Sequence, residues 1–127
     1  MDFLFHAHSG FRYVVLLVGF IALVVLVYAL VTRKSVGATR GLMAAFVGVV
    51  DVQVLLGIIL VFLWPFYGAL IGHIVMMVLA AAVAHIASVM ARRKDDPQRA
   101  VAIQIGGVVA ALVIIVFGIQ AIGRSVF

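Results

Sequence analysis

The residues of this chain able to do chemistry are few and scattered through an apolar sequence. They are His6, His8 and Arg12 near the start, then Asp51 and Gln53, His73 and His85, and Gln104 and Gln120. A neutral imidazole offers a nitrogen lone pair to iron, and two imidazoles from paired helices form the usual axial set of a b-type haem. His8 and His73 are the candidate pair, the metal ligands of one bis-histidine haem b. Arg12 lies one helical turn after His8, where it either pairs with a haem propionate or snorkels to the lipid headgroups. Met77 lies one turn after His73 on the same face. Gln53 shares a stripe with Gly57, Leu60 and Trp64, so Arg12, Met77 and Gln53 complete the expected cofactor contacts.

The other two histidines need an account. His6 lies nearly opposite His8 on a helical wheel, so one of them is interfacial, and His8 is the favoured ligand. His85 follows His73 by twelve positions. A second haem would need another deep histidine on a different helix, and there is none, so one haem is expected. His85 is then expected to hydrogen-bond to Gln104 or to Asp51. Asp51 either handles protons, for example beside a quinone, or makes a structural bond to a neighbouring helix. Gln53 falls almost opposite Asp51 and cannot join it.

Absences narrow the chemistry. The sequence has no cysteine, which excludes disulfides, thiolate metal sites, iron–sulfur clusters and covalent haem attachment. It has no phosphate-loop pattern, no His-Glu-x-x-His motif and no nucleophile–base–acid set. The question of an enzyme stays open, with an electron-transfer protein or subunit favoured over a stand-alone catalyst.

The elements that must position these residues follow from composition. Of the 127 residues, 68% are hydrophobic and 10% charged, against about 25% charged in a soluble domain. An apolar surface is stable where lipid is the solvent, and there the backbone must satisfy itself as helix. Four apolar segments, at 11–32, 41–63, 68–91 and 100–122, each approach the roughly 20 residues that cross a hydrocarbon core. The connections are short, and Pro65 and Pro97 fall inside two of them. Sequential helices are therefore antiparallel neighbours, and the expected fold is an all-α membrane protein, a single-domain antiparallel up-down four-helix transmembrane bundle. The start, Met-Asp-Phe-Leu-Phe-His, has no basic region and no cleavage site of the signal-peptide kind.

Charge sets the orientation. Arg33, Lys34 and Arg40 in the first connection, and Arg92, Arg93, Lys94 and Arg99 in the third, are seven of the nine basic residues. Positive loops stay cytoplasmic, so both termini and the aromatic 64–67 turn face outward, with Trp64 and Tyr67 suited to the interface. The net charge of +5 thus has a topological origin and does not call for nucleic acid. Counting 1.5 Å per residue, His73 lies roughly 7 Å below the outer surface, at a depth His8 can meet from the parallel first helix. The face below His73 carries Met77, Ala80, Ala84 and Ser88. Small residues admit a planar macrocycle, and they also let two helices pack closely without one. Gly107 with Ala111, and Gly106 with Ala110, make two further small-residue steps in the fourth segment.

These residues carry a resemblance. The string His6-Ala-His8-Ser-Gly-Phe-Arg12-Tyr-Val-Val-Leu-Leu resembles the start of a family of small bacterial four-helix membrane proteins of the cytochrome b-like type. Asp51-Val-Gln53-Val-Leu-Leu-Gly57-Ile-Ile-Leu, His73-Ile-Val-Met76-Met77 and Arg92-Arg93-Lys94 are similar to later parts of it. The resemblance covers most of the chain and is weakest in the fourth helix. A more distant similarity is to one four-helix half of haem A synthase, which implies His8 and His73 as axial ligands. Here His8 and Arg12 stand four apart rather than adjacent, and the acidic residue of the synthase motif is missing, so the resemblance implies haem binding without synthase chemistry.

The expectation is a b-type haem-binding membrane protein of the bacterial inner membrane, transferring electrons with or near the quinone pool. Its expected partners are the lipid bilayer, quinone, other respiratory or photosynthetic membrane subunits and a second copy in a homodimer. The rival expectation is a haem-free structural or anchor subunit of a larger membrane complex. A proton-coupled carrier using Asp51 and His85 ranks last, since carriers of this kind usually have repeated halves and broken helices.

Overall fold

A computed structural model of the chain describes residues 2–33, 38–63 and 68–123. Four helices follow one another: α1 Asp2–Thr32, α2 Ala38–Leu63, α3 Ala69–Arg92 and α4 Pro97–Ala121. All are long and apolar enough to cross a membrane, and they form the expected bundle. The chain is a multi-pass membrane protein. At most 33% of any span's most apolar stretch is buried within the chain. Large side chains such as Leu17, Phe20, Phe62, Ile86 and Phe117 project outward, as lipid contact permits. The 64–67 turn, with Trp64, Pro65 and Tyr67, and Lys34 in the first connection lie outside the described residues.

Three helix starts lie well ahead of the apolar segments: α1, α4 and α2, which begins at Ala38 instead of residue 41. α1 begins at Asp2 instead of residue 11. The apolar count marks only the part that must sit in hydrocarbon, whereas residues 2–10 contain no proline to stop the helix, and 31 residues reach about 46 Å. The turn bearing His6 and His8 is consequently rigid helix. α4 begins at Pro97, three residues earlier than expected. A proline has no N–H to lose in the first turn, and the Asp96 carboxylate caps the helix by accepting from the Gln98 N–H at 3.0 Å. α4 ends at Ala121, and two residues on Gly123, whose φ of +77° suits glycine, donates its N–H to the Gln120 carbonyl at 2.9 Å.

α3 packs most closely on α4, and α1 on α2. α2 and α3 are the loosest neighbouring pair, and α1 and α3 lie across the diagonal without close backbone approach. The α3/α4 seam is tight because one face of α3 is alanine: Ala80, Ala84, Ala87 and Ala91 are all buried. A β-carbon on Gly107 would overlap that of Ala87. Gly106, by contrast, is exposed with open space around it, so only the Gly107–Ala111 step serves this seam. Phe46, Leu26, Met43, Val15 and Val108 fill the centre. Gly107→Leu should therefore force α3 and α4 apart at a cost of about 1–3 kcal/mol, read as a lower midpoint of thermal unfolding in detergent, while Gly106→Leu should leave it nearly unchanged.

Candidate functional site

The site forms at the end of the bundle that holds the start of α1 and the end of α4. The α1 turn at His8 and the α3 turn at His73 face each other across the diagonal, where no backbone intervenes. Their ring centres are 6.3 Å apart and their planes nearly perpendicular, at 88°. Both side chains line one cavity of about 190 Å³ to which all four helices contribute. Its walls include Ser9 and Arg12 from α1, Gln53 and Gly57 from α2, Met77 from α3 and Ile115 and Ile119 from α4. All five residues expected to contact a cofactor (His8, Arg12, Gln53, His73 and Met77) thus border one space.

Each ring is held by its neighbours. The His73 Nδ1–H donates to the Gly118 carbonyl at 2.9 Å. A carbonyl only accepts, so in the neutral ring the proton sits on Nδ1 and the lone pair is left on Nε2. The His8 ring lies against α2 at Gly57, where a β-carbon would come within 3.1 Å of Cε1. Glycine at 57 therefore leaves room for the Cε1 side of the imidazole to approach that helix. Gln53 fixes the same turn of α1, donating from Nε2 to the His8 carbonyl at 2.7 Å.

Arg12 extends from the next turn of α1. Its guanidinium donates to Ser9 Oγ at 2.9 Å and to Tyr13 Oη at 2.8 Å. It also stacks on the Tyr13 ring, 4.7 Å from its centre. Three buried polar atoms are nonetheless unpartnered among the described residues: His8 Nδ1, Arg12 Nε and Gln53 Oε1. Buried polar groups nearly always have partners, and each exception asks for an explanation. All three belong to residues lining one cavity, which makes it the candidate site for a ligand with polar groups of its own.

His6 is exposed and packs edge-on against Phe5. It is not among the residues lining the cavity, whereas His8 is. Of the two partners open to His85, the structure selects Asp51: Nε2 lies 2.8 Å from each carboxylate oxygen. Gln104 is instead buried at the far end of the bundle, near Met43 and Ser88. The Asp51–His85 pair points away from the cavity, and Gln53 points into it, as their opposite places on the helix require.

Gly118 is the residue that sequence reasoning overlooked. Its carbonyl orients His73, and a β-carbon there would overlap Met77 Cε and lie 3.1 Å from Met76 Cβ. The available signal was a glycine inside an apolar span, at the depth His73 reaches on the antiparallel neighbour.

No protein family, curated protein or solved structure matches the chain.

Proposed function

We propose that the chain binds one b-type haem between His8 and His73 and transfers electrons through it within a bacterial inner membrane, both termini facing outward, with quinone as the candidate redox partner. The carrying observation is the 6.3 Å between the two ring centres. Two imidazoles gripping one metal have nitrogens about 4 Å apart, twice a metal–nitrogen bond of about 2.0 Å as known for zinc. Their ring centres lie somewhat further apart, which matches this pair.

The donor set favours haem over a bare metal ion. Among the described residues no three histidine, cysteine, aspartate or glutamate side chains converge, whereas a protein-held metal ion usually takes three or four such ligands. A porphyrin brings its own equatorial nitrogens and asks the protein for two axial ones. Bound haem would supply reversible one-electron exchange at its iron. His73, its Nδ1 tied to Gly118, presents Nε2 as the ligand atom, and a carbonyl partner of this kind raises ligand basicity. Arg12 offers an N–H and a positive charge for a carboxylate, and Gln53 offers a carbonyl acceptor.

The cavity is smaller than the roughly 300–1,000 Å³ of ordinary small-molecule pockets. Ile58 and Val78 line it on the loose α2/α3 side, and each is more than half exposed. A bound haem would need the space on that open side as well as the interior.

The test is an absorption spectrum of the purified chain, expressed with ample haem, oxidised and then reduced. A Soret band and sharp reduced bands are expected. His6→Ala should leave both unchanged, since that ring lies outside the cavity. Colourless protein under those conditions defeats the proposal.

A further inference from the structure

The Asp51–His85 pair lies where an isolated chain in lipid would not tolerate it. Asp51 stands at the middle of α2, 13 residues from Ala38 and 12 from Leu63. His85 stands seven residues from the end of α3 at Arg92, about 10 Å along the helix. The pair is well inside the apolar span, yet the two side chains are 47% and 52% exposed on the outer face of the bundle. Ionisable residues at membrane depth almost always face a protein interior or a wet cavity.

Its hydrogen-bonding capacity is also only partly used. The carboxylate can accept about four bonds, and both its oxygens share the one His85 nitrogen. Hydrocarbon offers nothing for the rest, and each unmet group there is costly.

The surrounding surface is shaped for close approach. On α2, Ala44, Gly48, Asp51 and Leu55 fall within one 60° arc at 100° per residue, and all four are exposed. A β-carbon on Gly48 would touch nothing. On α3 the matching exposed line is Val78, Ala82, His85 and Val89. Ala44 and Gly48 make a small-xxx-small step beside the carboxylate, the pattern that lets helices meet closely in membranes.

We infer that this α2/α3 face is the interface of a twofold homodimer, in which Asp51 and His85 of one copy bond to the partner's His85 and the partner's Asp51. The argument for a second copy is complementarity. A twofold axis along the membrane normal keeps every residue at its own depth and sets a patch against itself in reversed order. A patch holding one acceptor and one donor side by side at a common level therefore meets its own complement. Four groups close into a ring that satisfies them, while Gly48 and Ala82 let the backbones come near enough.

The chain has no cysteine, so a single introduced one reports its own neighbour. The full-length protein in lipid nanodiscs, diluted to one or two chains per disc, should form an oxidised dimer as Gly48→Cys. Phe117→Cys, on α4 and also exposed, should not. Adding Asp51→Leu and His85→Leu together replaces the polar pair with lipid-compatible side chains, which keeps the bundle foldable. It should weaken association by about tenfold or more, the effect of losing two interhelical hydrogen bonds in a membrane. Single-molecule photobleaching over a dilution series gives the same ratio without cross-linking. Monomers at every dilution, equal cross-linking at both positions, or a dimer indifferent to the double substitution would each overturn the inference. None of these readouts depends on pigment, so the result stands apart from the haem proposal.

Discussion

His73→Ala should strip the purified protein of its Soret absorbance while leaving the four-helix far-ultraviolet signal intact. The imidazole is half of the candidate axial pair, and apart from His8 no other imidazole lines the cavity among the described residues. His6 is exposed against Phe5, and His85 is engaged with Asp51 on the outer face. Removing a mere outer-shell partner typically costs 10–100-fold in metal affinity, so removal of the ligand should cost more. His8→Ala should do the same, and adding imidazole to either variant should restore part of the band by filling the emptied volume. The structural loss is modest, because His73 is only partly buried and its single protein bond is to a carbonyl. A His73→Ala variant that keeps a normal spectrum rules this residue out as a ligand, and with it the reading of the cavity.

The second large effect is expected at Gly118. Leucine there meets Met77 and Met76 across the α3/α4 seam, where overpacking costs about 1–3 kcal/mol. Pushing α4 outward also lengthens the bond between His73 Nδ1 and the Gly118 carbonyl, which is 2.9 Å in the native chain. Haem content should fall about 10–100-fold, the range for loss of an outer-shell partner, and the midpoint potential of what remains should shift. Gly118→Ala is a finer probe. Its β-carbon meets the flexible end of Met77 and lies 3.1 Å from Met76 Cβ, so it should lower stability and pigment less than leucine does. If Gly118→Leu loses stability but keeps its haem affinity and potential, the carbonyl has no part in tuning His73.

The sequence is informative about the site to an unusual degree, and the reason is the solvent. In lipid a polar side chain cannot sit just anywhere, so the few that occur stand out, and a helix of known rise converts their positions into depth. His8 and His73 could be matched in height by counting, and Arg12, Gln53 and Met77 could be assigned to faces from the 100° step. All five line one cavity. The same count put Asp51 opposite Gln53, and one points out of the bundle where the other points in.

What counting cannot supply is which faces meet. His85 had two partners of similar depth, and only the packing of α2 on α3 settled on Asp51. The alanine face of α3 allowed either a macrocycle or a close helix. One stretch meets a helix, with Ala87 against Gly107, while the turns near His73 border the cavity. Gly118 escaped notice because a glycine in an apolar helix has no polar signature, and its value lies in a backbone carbonyl that every residue possesses. α1, α2 and α4 start before their apolar segments because hydropathy records what must be in hydrocarbon, not where hydrogen bonding of the helix begins. The sequence by itself determined four spans, their antiparallel order and the depth of each polar group, since these follow from apolarity and the fixed rise of a helix. Rotation of each helix about its axis, and so the 6.3 Å between two histidines, was decided only when side chains from all four packed together.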